Sequence, residues 1–325
     1  MKNYLLAILS ISCFIACKSK TEKPAIKNTE SVTKTATLEF QIKAKLGEGA
    51  FWDHKNERFF WVDIENKQLH IYSPNSKTNK TFDLPSRIGT VVPKNENEAV
   101  IALEDGIYSI NLETGELQVL AEIEKELTYN RFNDGKCDPK GRLWAGTMNF
   151  DGNSKTGSLY QIDSTGTVTK RLDSVMISNG IVWTKDHTTM YYIDTPLSTV
   201  FAFDYDNESG NISNKRAAIK VHDSIGFPDG MTIDEHDNLW IGLWNGNAVG
   251  HFNPKTGKLI EKIPVPAHNV TACAFGGKNL DTLYITTASV DMSPEEAEKY
   301  PQAGSIFKYA PGVKGVKSNC FSKED

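Results

Sequence analysis

Four polar residues, each followed by glycine, are the strongest candidates for chemistry in this sequence. They are Glu48, Asp134, Asn179 and Asp229. Each opens an alternating apolar run, so in a ring of equivalent strands all four side chains would converge on one axis. Converging carboxylates repel each other, and burial disfavours their ionised forms. A divalent cation removes this conflict, because Ca²⁺ and Mg²⁺ prefer carboxylate and amide oxygens as ligands.

The alternative interpretation is that these residues form turns, since Asp-Gly and Asn-Gly are common turn dipeptides. One such pair would favour a turn, whereas four pairs in equivalent positions favour a metal site. Other chemistries find less support. The sequence has no G-x-S-x-G nucleophile motif, and its seven histidines form no H-x-x-x-H pair. Beyond the N-terminal segment, Cys137, Cys273 and Cys320 are too few and too widely spaced for a disulfide framework.

An internal repeat supplies the strands that would position these residues. A hydrophobic, often aromatic triplet recurs at intervals of roughly 40–48 residues, a spacing suited to one four-stranded propeller blade. Its copies begin at Phe60, Ala99, Leu143, Tyr191, Leu239 and Leu283. Polar turns and short β-branched or aromatic runs surround each copy, with almost no helical periodicity. We therefore predict an all-β chain folded as a six-bladed β-propeller.

The repeat also predicts where the domain begins and how it closes. Residues 38–44 form an extra strand pattern, which we expect to pair with the last blade near residues 306–309. The catalytic propeller domain is thus predicted to span residues 38–325. A closed ring leaves no long sheet edge to be covered, so an oligomer is not required. The formal net charge of -5 gives no sign of nucleic-acid binding.

The N-terminal segment predicts export. Lys2 gives a positive start, residues 4–15 form an apolar stretch of signal-peptide length, and Cys17 follows a small residue. This pattern resembles a bacterial lipobox in which residues 1–17 direct export and Cys17 is lipidated; an ordinary signal peptide is the alternative. Residues 18–37 are polar and indicate a disordered tether. The expected location is the periplasm or cell surface, with membrane contact only through the lipid anchor.

Longer motifs around the candidate residues resemble the regucalcin (senescence marker protein) and gluconolactonase family. The resemblance covers residues 46–315. Seven segments carry it, and they are specific together and not singly: Gly47-Glu48-Gly49, Asn130-Arg131-Phe132-Asn133-Asp134-Gly135-Lys136, Ala145-Gly146-Thr147-Met148, Ile177-Ser178-Asn179-Gly180, Tyr191-Tyr192-Ile193-Asp194, Pro228-Asp229-Gly230-Met231 and Phe275-Gly276-Gly277-Lys278-Asn279. It implies a six-bladed propeller with one catalytic divalent ion in its channel.

The resemblance also implies roles for individual residues. Matching the family motifs places the metal ligands at Glu48, Asn179 and Asp229. Asp229 would in addition move a proton to or from the attacking water. Asp134 is an adjacent carboxylate that could assist this step.

Substrate contacts are implied at Arg131, Asn133 and Asp151. Animal members of the family have a longer Glu at the last of these positions, which puts the sugar preference of this chain in question. Asp151 lies in a polar Asp-Gly-Asn segment, so a simple turn residue is the alternative.

The expected function is metal-dependent hydrolysis of a sugar lactone to an aldonic acid. Ca²⁺ suits the oxygen ligands best, and Mg²⁺, Mn²⁺ and Zn²⁺ are also compatible with them. Two alternatives stay open from the sequence. One is an organophosphate or aryl-ester hydrolase, and the other is a calcium-binding surface module without catalysis.

Overall fold

Six four-stranded antiparallel sheets contain all the strands of the described residues. The computed structural model describes Met1 and residues 35–322. Each sheet is one blade, and five of them are built from four consecutive strands. The all-β, six-bladed propeller predicted from the repeat is therefore confirmed.

The strand bounds follow the repeat. The chain begins with β1 (Thr37–Phe40). Blade 1 is β2 (Gly47–Asp53), β3 (Arg58–Asp63), β4 (Gln68–Ser73) and β5 (Thr78–Asp83), and blade 2 is β6 (Ile88–Pro93), β7 (Glu98–Leu103), β8 (Gly106–Asn111) and β9 (Leu117–Glu122). Blade 3 is β10 (Asn130–Cys137), β11 (Leu143–Asn149), β12 (Gly157–Ile162) and β13 (Val168–Val175), and blade 4 is β14 (Ser178–Trp183), β15 (Thr189–Asp194), β16 (Thr199–Tyr205) and β17 (Ile212–Lys220).

The last two blades complete the ring. Blade 5 is β18 (Phe227–Ile233), β19 (Leu239–Trp244), β20 (Ala248–Asn253) and β21 (Lys258–Pro264). Blade 6 is β22 (Asn269–Gly276), β23 (Thr282–Ala288), β24 (Ile306–Tyr309) and, as its outermost strand, β1. The described helices are short: α1 (Pro294–Lys299) and two 3-10 turns, Thr195–Leu197 and Asp223–Ile225.

The repeated triplets lie in the second strand of each blade, sandwiched between neighbouring blades. In β3, for example, all four residues from Phe59 to Val62 are fully buried. Trp144 and Trp240, the central residues of two other triplets, are also buried. Because both faces of these strands are covered, they are continuously apolar instead of alternating between apolar and polar residues.

Aspartates at the ends of the inner strands fix the first hairpin of several blades. Asp53, Asp138 and Asp234 each accept hydrogen bonds from two backbone N–H groups of the turn that follows, at 2.9–3.2 Å. In blades 3 and 5 the same carboxylate also accepts the indole N–H of Trp144 or Trp240. These aspartates serve the fold, and they provide a common reference position in the inner strands.

The ring closes by pairing the two ends of the described domain, as predicted. Strand β1 pairs antiparallel with β24, with Leu38 opposite Phe307. Buried Glu39 accepts hydrogen bonds from Tyr72 at 2.8 Å and from Lys77, and it forms an ion pair with Lys308 at 2.8 Å. This cluster joins the closing strand to blade 1 and blade 6, so a single carboxylate connects both sides of the closure.

The segment after β24 covers the end of the channel where the inner strands finish. Gly315 pairs with Asp234, and the backbone N–H of Val316 donates to Ile233 at 3.2 Å. Farther along, Phe321 is buried and its N–H donates to Pro93 at 2.9 Å. The segment therefore packs against the ends of the inner strands of blades 2 and 5, away from the residues at which these strands begin.

The N-terminal predictions fall mostly outside the described residues. The proposed signal peptide with Cys17, and the tether as far as residue 34, belong to that part of the chain. Ala36 is buried and its N–H donates to Pro264 at 2.9 Å, so the folded domain starts at least two residues before the predicted boundary at 38. Among the described residues, no helix is long and apolar enough to cross a membrane.

We predict that Glu39→Gln weakens the closure in a pH-dependent way. Burial raises the pKa of Glu39, but the hydrogen bonds from Lys308, Lys77 and Tyr72 outweigh burial and hold the pKa below its ordinary value of 4.5. A lowered carboxyl pKa stabilises the fold above the unfolded-state pKa, and this contribution is lost as the pH falls through the folded-state pKa. At pH 7 the substitution should cost about 1–2 kcal/mol of unfolding free energy.

Urea unfolding at pH 7 and at successively lower pH measures this effect. The difference between wild type and Glu39→Gln should shrink below pH 4.5. Glu116→Gln, at an exposed position of blade 2, is the control and should change little at either pH. A difference that stays constant on acidification would contradict the predicted role of the Glu39 carboxylate.

Candidate functional site

A cavity of about 530 Å³ opens at the end of the channel where the inner strands begin. The residues that the sequence analysis assigned to metal binding or to substrate contact all line it: Glu48, Arg131, Asn133, Asp151, Asn179 and Asp229. They come from blades 1, 3, 4 and 5, so residues up to 181 positions apart in the chain reach one space. The adjacent carboxylate of Asp134 is not part of the lining.

The polar residues before glycine lie within the inner strands and not in hairpin turns. In all six blades the register of the inner strand shifts at this point, as at a β-bulge. The turn interpretation is therefore wrong for these four pairs. A bulge redirects the neighbouring side chain, and here it accompanies the change from blade core to channel.

The following glycine is required by the closeness of the next blade. A Cβ atom added to Gly180 would lie 2.8 Å from the carbonyl oxygen of Asp229, and one added to Gly230 would lie 2.5 Å from the Cβ of Ala272. Both distances are too short for a side chain to be accommodated without movement. The glycine in the motif thus brings the inner strands of adjacent blades together.

The structure corrects one assignment made from the repeat. Glu48, Asn133 and Asp229 each lie five residues before a turn aspartate, at positions 53, 138 and 234. Asp134 lies only four residues before its turn aspartate. The residue of blade 3 that corresponds to Glu48 and Asp229 is therefore Asn133 and not Asp134. Successive side chains of a strand point in opposite directions, so a one-residue error exchanges a cavity residue for a residue behind it.

Asp134 is buried next to the cavity-lining residues. Its Oδ1 accepts the backbone N–H of Gly135 at 2.8 Å, and its Oδ2 has no hydrogen-bond partner among the described residues. Burial raises the pKa of Asp134, while the nearby ammonium group of Lys136 lowers it. That ammonium group donates to the backbone oxygen of Met231. Asp134 thus adds a buried negative charge that Lys136 partly balances.

A directed chain of hydrogen bonds holds the amide side chains of the site. Arg131 donates to Asn133 Oδ1 at 2.7 Å, and Asn133 Nδ2 donates to Asn179 Oδ1 at 3.0 Å. Asn179 Nδ2 donates to Thr195 at 2.8 Å, and the Thr195 hydroxyl donates to the Pro228 carbonyl at 2.8 Å. The chain crosses blades 3, 4 and 5 and ends directly before Asp229.

The two ends of this chain decide the orientation of both amides. A guanidinium group can only donate and a backbone carbonyl can only accept, so every bond between Arg131 and Pro228 must run in the same direction. Asn179 therefore turns its nitrogen toward Thr195 and keeps its oxygen on the side of Asn133. That oxygen accepts one hydrogen bond and retains a second lone pair for a ligand.

The electrostatics of the cavity are unfavourable without a compensating charge. Burial raises the pKa of Glu48 well above its ordinary range, and the charges of Asp229 and Asp134 raise it further. Burial likewise raises the pKa of Asp229, followed by the effect of Asp134. Arg131 lowers both, but it is itself buried, which reduces its own pKa to about 10. One guanidinium group thus acts on the two buried carboxyl groups of the lining, and Asp134 adds to the repulsion between them.

These residues fit a divalent cation. Asp229 Oδ1 is buried without a hydrogen-bond partner among the described residues, and the Asn179 oxygen has a free lone pair. Two carboxylates and one amide oxygen are hard ligands of the type that Ca²⁺ prefers. The described residues contain no cluster of three or more His, Cys, Asp or Glu that could hold a metal. The third oxygen donor of the candidate set is an amide, Asn179, which does not belong to these four residue types.

Asp151 occupies the exposed rim of the cavity. Its Oδ1 accepts the backbone N–H of Asn153 at 2.8 Å, and its Oδ2 accepts the hydroxyl of Ser154 at 3.3 Å. It is therefore a turn residue and a cavity residue at the same time. Whether it also contacts substrate remains a prediction.

Several residues of the site were not found by sequence reasoning. Thr195 directly follows the Tyr191-Tyr192-Ile193-Asp194 motif, and this proximity is the only signal that could have indicated it. Glu65, Phe150, Trp244 and Asp291 also line the cavity. They lie in loops or at strand ends outside the repeated motif, so a comparison of equivalent positions in the blades could not identify them.

Comparisons with known proteins identify the family of this chain. Residues 46–289 match the family described as SMP-30/Gluconolactonase/LRE-like region. A Bacillus subtilis (strain 168) protein named "Putative sugar lactone lactonase YvrE" is 41% identical over 272 residues, covering 84% of this chain and 93% of that protein. Regucalcin of Xenopus laevis is 35% identical over 284 residues, covering 86% of this chain and 95% of that protein.

A solved structure gives the same result at the level of the fold. The crystal structure of a calcium-binding protein, regucalcin, from Agrobacterium tumefaciens str. C58 superimposes with a TM-score of 0.85 at 28% identity. The match covers 88% of this chain and 97% of that one. The propeller and its closure are thus shared over nearly the whole described domain.

We predict that Asp229→Asn has opposite effects on stability without and with metal. Removing one of the buried like charges should raise the unfolding free energy of the metal-free protein by about 1–2 kcal/mol. The same change removes a charged ligand, so added Ca²⁺ should stabilise the variant far less than the wild type. A ligand at 100 times its dissociation constant stabilises a folded protein by about 2.7 kcal/mol.

Thermal unfolding in a chelator and in a Ca²⁺ series measures both effects. Asp204→Asn removes an exposed carboxylate of blade 4 and is the matched control, with the Ca²⁺ response expected to equal that of the wild type. An equal rise of Tm with Ca²⁺ in Asp229→Asn and wild type would exclude Asp229 as a ligand.

Proposed function

This chain belongs to the SMP-30/gluconolactonase/LRE-like family, as its motifs predicted, and we propose that it is a metal-dependent hydrolase that opens sugar lactones to aldonic acids. The observation that carries this proposal is one cavity lined by two buried carboxylates, an amide oxygen and a buried arginine. The relative named as a sugar lactone lactonase supports the substrate class.

We assign the metal to Glu48, Asn179 and Asp229. The fit rests on the unpartnered Asp229 oxygen and the oriented Asn179 amide. A divalent cation bound there would polarise the lactone carbonyl and stabilise negative charge on its oxygen. Ca²⁺ is the ion we favour, since two carboxylates and an amide suit it and a regucalcin of this fold is described as calcium-binding.

Arg131 is the residue that we assign to substrate binding. Both hydrogen bonds of its side chain use Nη1, with Phe132 and Asn133 as acceptors. Its Nε and Nη2 make no hydrogen bond with any described residue, although the side chain lines the cavity. These N–H groups have the fixed geometry needed to hold lactone oxygens.

Asn133 supports this geometry more than it contacts substrate directly. Its two N–H donors are used by the Ser178 carbonyl and by Asn179, and its oxygen accepts from Arg131. One lone pair of that oxygen is left for a substrate hydroxyl or a water molecule. Asn133 therefore couples the position of the arginine to that of the proposed metal ligand.

Asp229 is also our candidate for proton transfer. Burial and the charge of Asp134 raise its pKa, which makes its carboxylate a stronger base than an exposed aspartate. A bound cation lowers the pKa of the same group. The buried charge of Asp134 acts against that decrease, and this is the assistance that we propose for Asp134.

We expect the purified protein to release acid from D-glucono-1,5-lactone in a metal-dependent manner. A pH-indicator assay should show turnover that is lost with a chelator and restored by Ca²⁺, Mg²⁺, Mn²⁺ or Zn²⁺. Asp229→Ala should reduce kcat by at least 10²-fold, since it removes a ligand and the proposed base. Asp204→Ala is the control with unchanged activity.

The same assay separates the alternative functions. Faster metal-dependent turnover of an organophosphate or phenyl ester than of any aldonolactone would favour the ester-hydrolase alternative. Metal binding without turnover of any of these compounds would favour a non-catalytic calcium-binding module. Full activity in a folded Asp229→Ala variant would remove Asp229 from the mechanism.

We also propose that the protein is exported and anchored by a lipid on Cys17. The support is the N-terminal pattern alone: a positive start, an apolar stretch and a cysteine after Ala16. In a bacterial host given an alkyne-bearing fatty acid, wild type should become labelled and Cys17→Ser should not. Cys13→Ser is the matched control and should label normally. An unlabelled wild type, or a labelled Cys17→Ser variant, would contradict the anchor.

A further inference from the structure

Glu65 lies in the cavity but belongs to none of the motifs that identified the site. It sits in the turn after β3, where its side chain is 30% exposed and lines the cavity together with Arg131 and Asp151. The residue comes from blade 1, as Glu48 does. The proposed metal-binding and proton-transfer roles do not use it, so its position in the wall calls for a separate explanation.

Two charged residues, Arg87 and Glu104, hold the Glu65 carboxylate in place. Arg87 donates from Nε to Oε1 at 3.0 Å and from Nη2 to Oε2 at 2.9 Å. Such a two-point contact fixes the plane of the carboxylate. On the other side of the same guanidinium, Arg87 Nη1 donates to Glu104 Oε1 at 3.3 Å. Arg87 is thus held from two blades, and Glu65 is positioned before any ligand arrives.

The fixed carboxylate still has unused acceptor capacity. Each carboxylate oxygen can accept two hydrogen bonds, and each Glu65 oxygen receives one, from Arg87. The remaining lone pairs can accept hydrogen bonds from hydroxyl groups in the cavity. Arg131 supplies donors from the same lining. A polyhydroxylated ligand, which both donates and accepts, matches this pair of residues.

The same guanidinium group also contacts an aromatic residue of the cavity lining. The Arg87 guanidinium carbon lies 5.1 Å from the ring centre of Phe150, a cation–π distance. Phe150 lines the cavity and precedes Asp151. Glu65, Arg87 and Phe150 therefore form one connected wall.

The charge of the lining restricts which ligands fit. Its acidic residues are Glu48, Glu65, Asp151, Asp229 and Asp291, and its basic residues are Lys45 and Arg131. Arg87 balances Glu65, and a bound divalent cation would balance two more of the acidic residues, so the lining has no excess positive charge. Neutral ligands with several hydroxyl groups are favoured over phosphorylated or carboxylated ones, because an anion would meet the lining carboxylates without a free cation to bind it.

We propose that Glu65, positioned by Arg87, is a specificity-determining residue that accepts hydrogen bonds from the hydroxyl groups of a neutral, polyhydroxylated lactone. This inference rests on the proposed lactonase function and extends it to the substrate class. Glu65 acts on binding of the substrate and not on the opening of the ester bond. Its removal should therefore affect KM for hydroxylated substrates and leave kcat nearly unchanged.

The test compares Glu65→Gln with wild type on two lactones. D-Glucono-1,5-lactone carries hydroxyl groups, and δ-valerolactone has the same ring without them. For the variant, KM for gluconolactone should rise about tenfold, which corresponds to about 1.4 kcal/mol. Its kcat should stay within about twofold, and both constants for δ-valerolactone should be unchanged. Glutamine keeps the size of the side chain but loses the charge and one acceptor oxygen.

Glu104→Gln is the matched control. Glu104 also binds Arg87 but is absent from the cavity lining. Its substitution therefore weakens the support of Arg87 without removing a proposed substrate contact. Both variants should retain the wild-type Tm within a few degrees, since each pair is partly exposed. An equal rise in KM for both variants would overturn the proposal, because the effect would then come from Arg87 or Phe150.

The result separates this inference from the proposed function. If the wild type hydrolyses neither lactone, the proposed function is wrong and the inference is lost with it. If the wild type is active and Glu65→Gln changes KM for both lactones alike, or for neither, the lactonase stands and the role of Glu65 is refuted. A third substrate, 6-phospho-D-glucono-1,5-lactone, tests the effect of charge. Relative to gluconolactone, Glu65→Gln should turn over this anionic substrate better than the wild type does.

Discussion

The carboxylates of Glu48 and Asp229 converge in a space largely removed from water, and the rest of the structure depends on this constraint. Taking such ions out of water costs several kcal/mol each unless opposite charge compensates them. Arg131 is the compensating charge supplied by the chain within the cavity lining, besides Lys45 at its edge. Burial raises the pKa of both carboxyl groups. The chain gains no stability from this arrangement, and the cation that we propose for the site would supply the missing positive charge.

The fold holds these charges together because closure leaves the inner strands little freedom. Each blade packs between two neighbours. The Glu39 carboxylate of the closing strand β1 binds residues of blade 1 and of blade 6. The directed hydrogen-bond chain from Arg131 to Pro228 then couples three blades at the cavity itself. Reversing either amide in that chain would face two donors or two acceptors toward each other. The position of the Asn179 oxygen thus follows from the common direction of these hydrogen bonds as well as from packing.

One repeated strand carries both structure and chemistry. Its turn aspartate closes the first hairpin in blades 1, 3 and 5, and the residue five positions earlier faces the cavity in the same blades. Blade 2 has Ile88 before its bulge glycine, and it contributes to the site instead through Arg87 on the preceding loop. The blades therefore keep a common backbone while their cavity-facing side chains differ. This division allows a single propeller to combine carboxylates, amides and an arginine around one space.

The sequence by itself determined the number of blades, the closing strand, the family and six of the residues that line the cavity. It could do so because each blade is a set of consecutive hairpins, so that the repeat is visible along the chain. The tertiary structure decided which of two adjacent residues, Asn133 or Asp134, faces the cavity, because a bulge changes side-chain direction and a shift of one residue reverses it. It also decided the pairing of Glu65 with Arg87 and of Asn179 with Thr195. Those contacts join different loops and strands of the ring, and no sequence spacing records a distance that arises only when the blades pack.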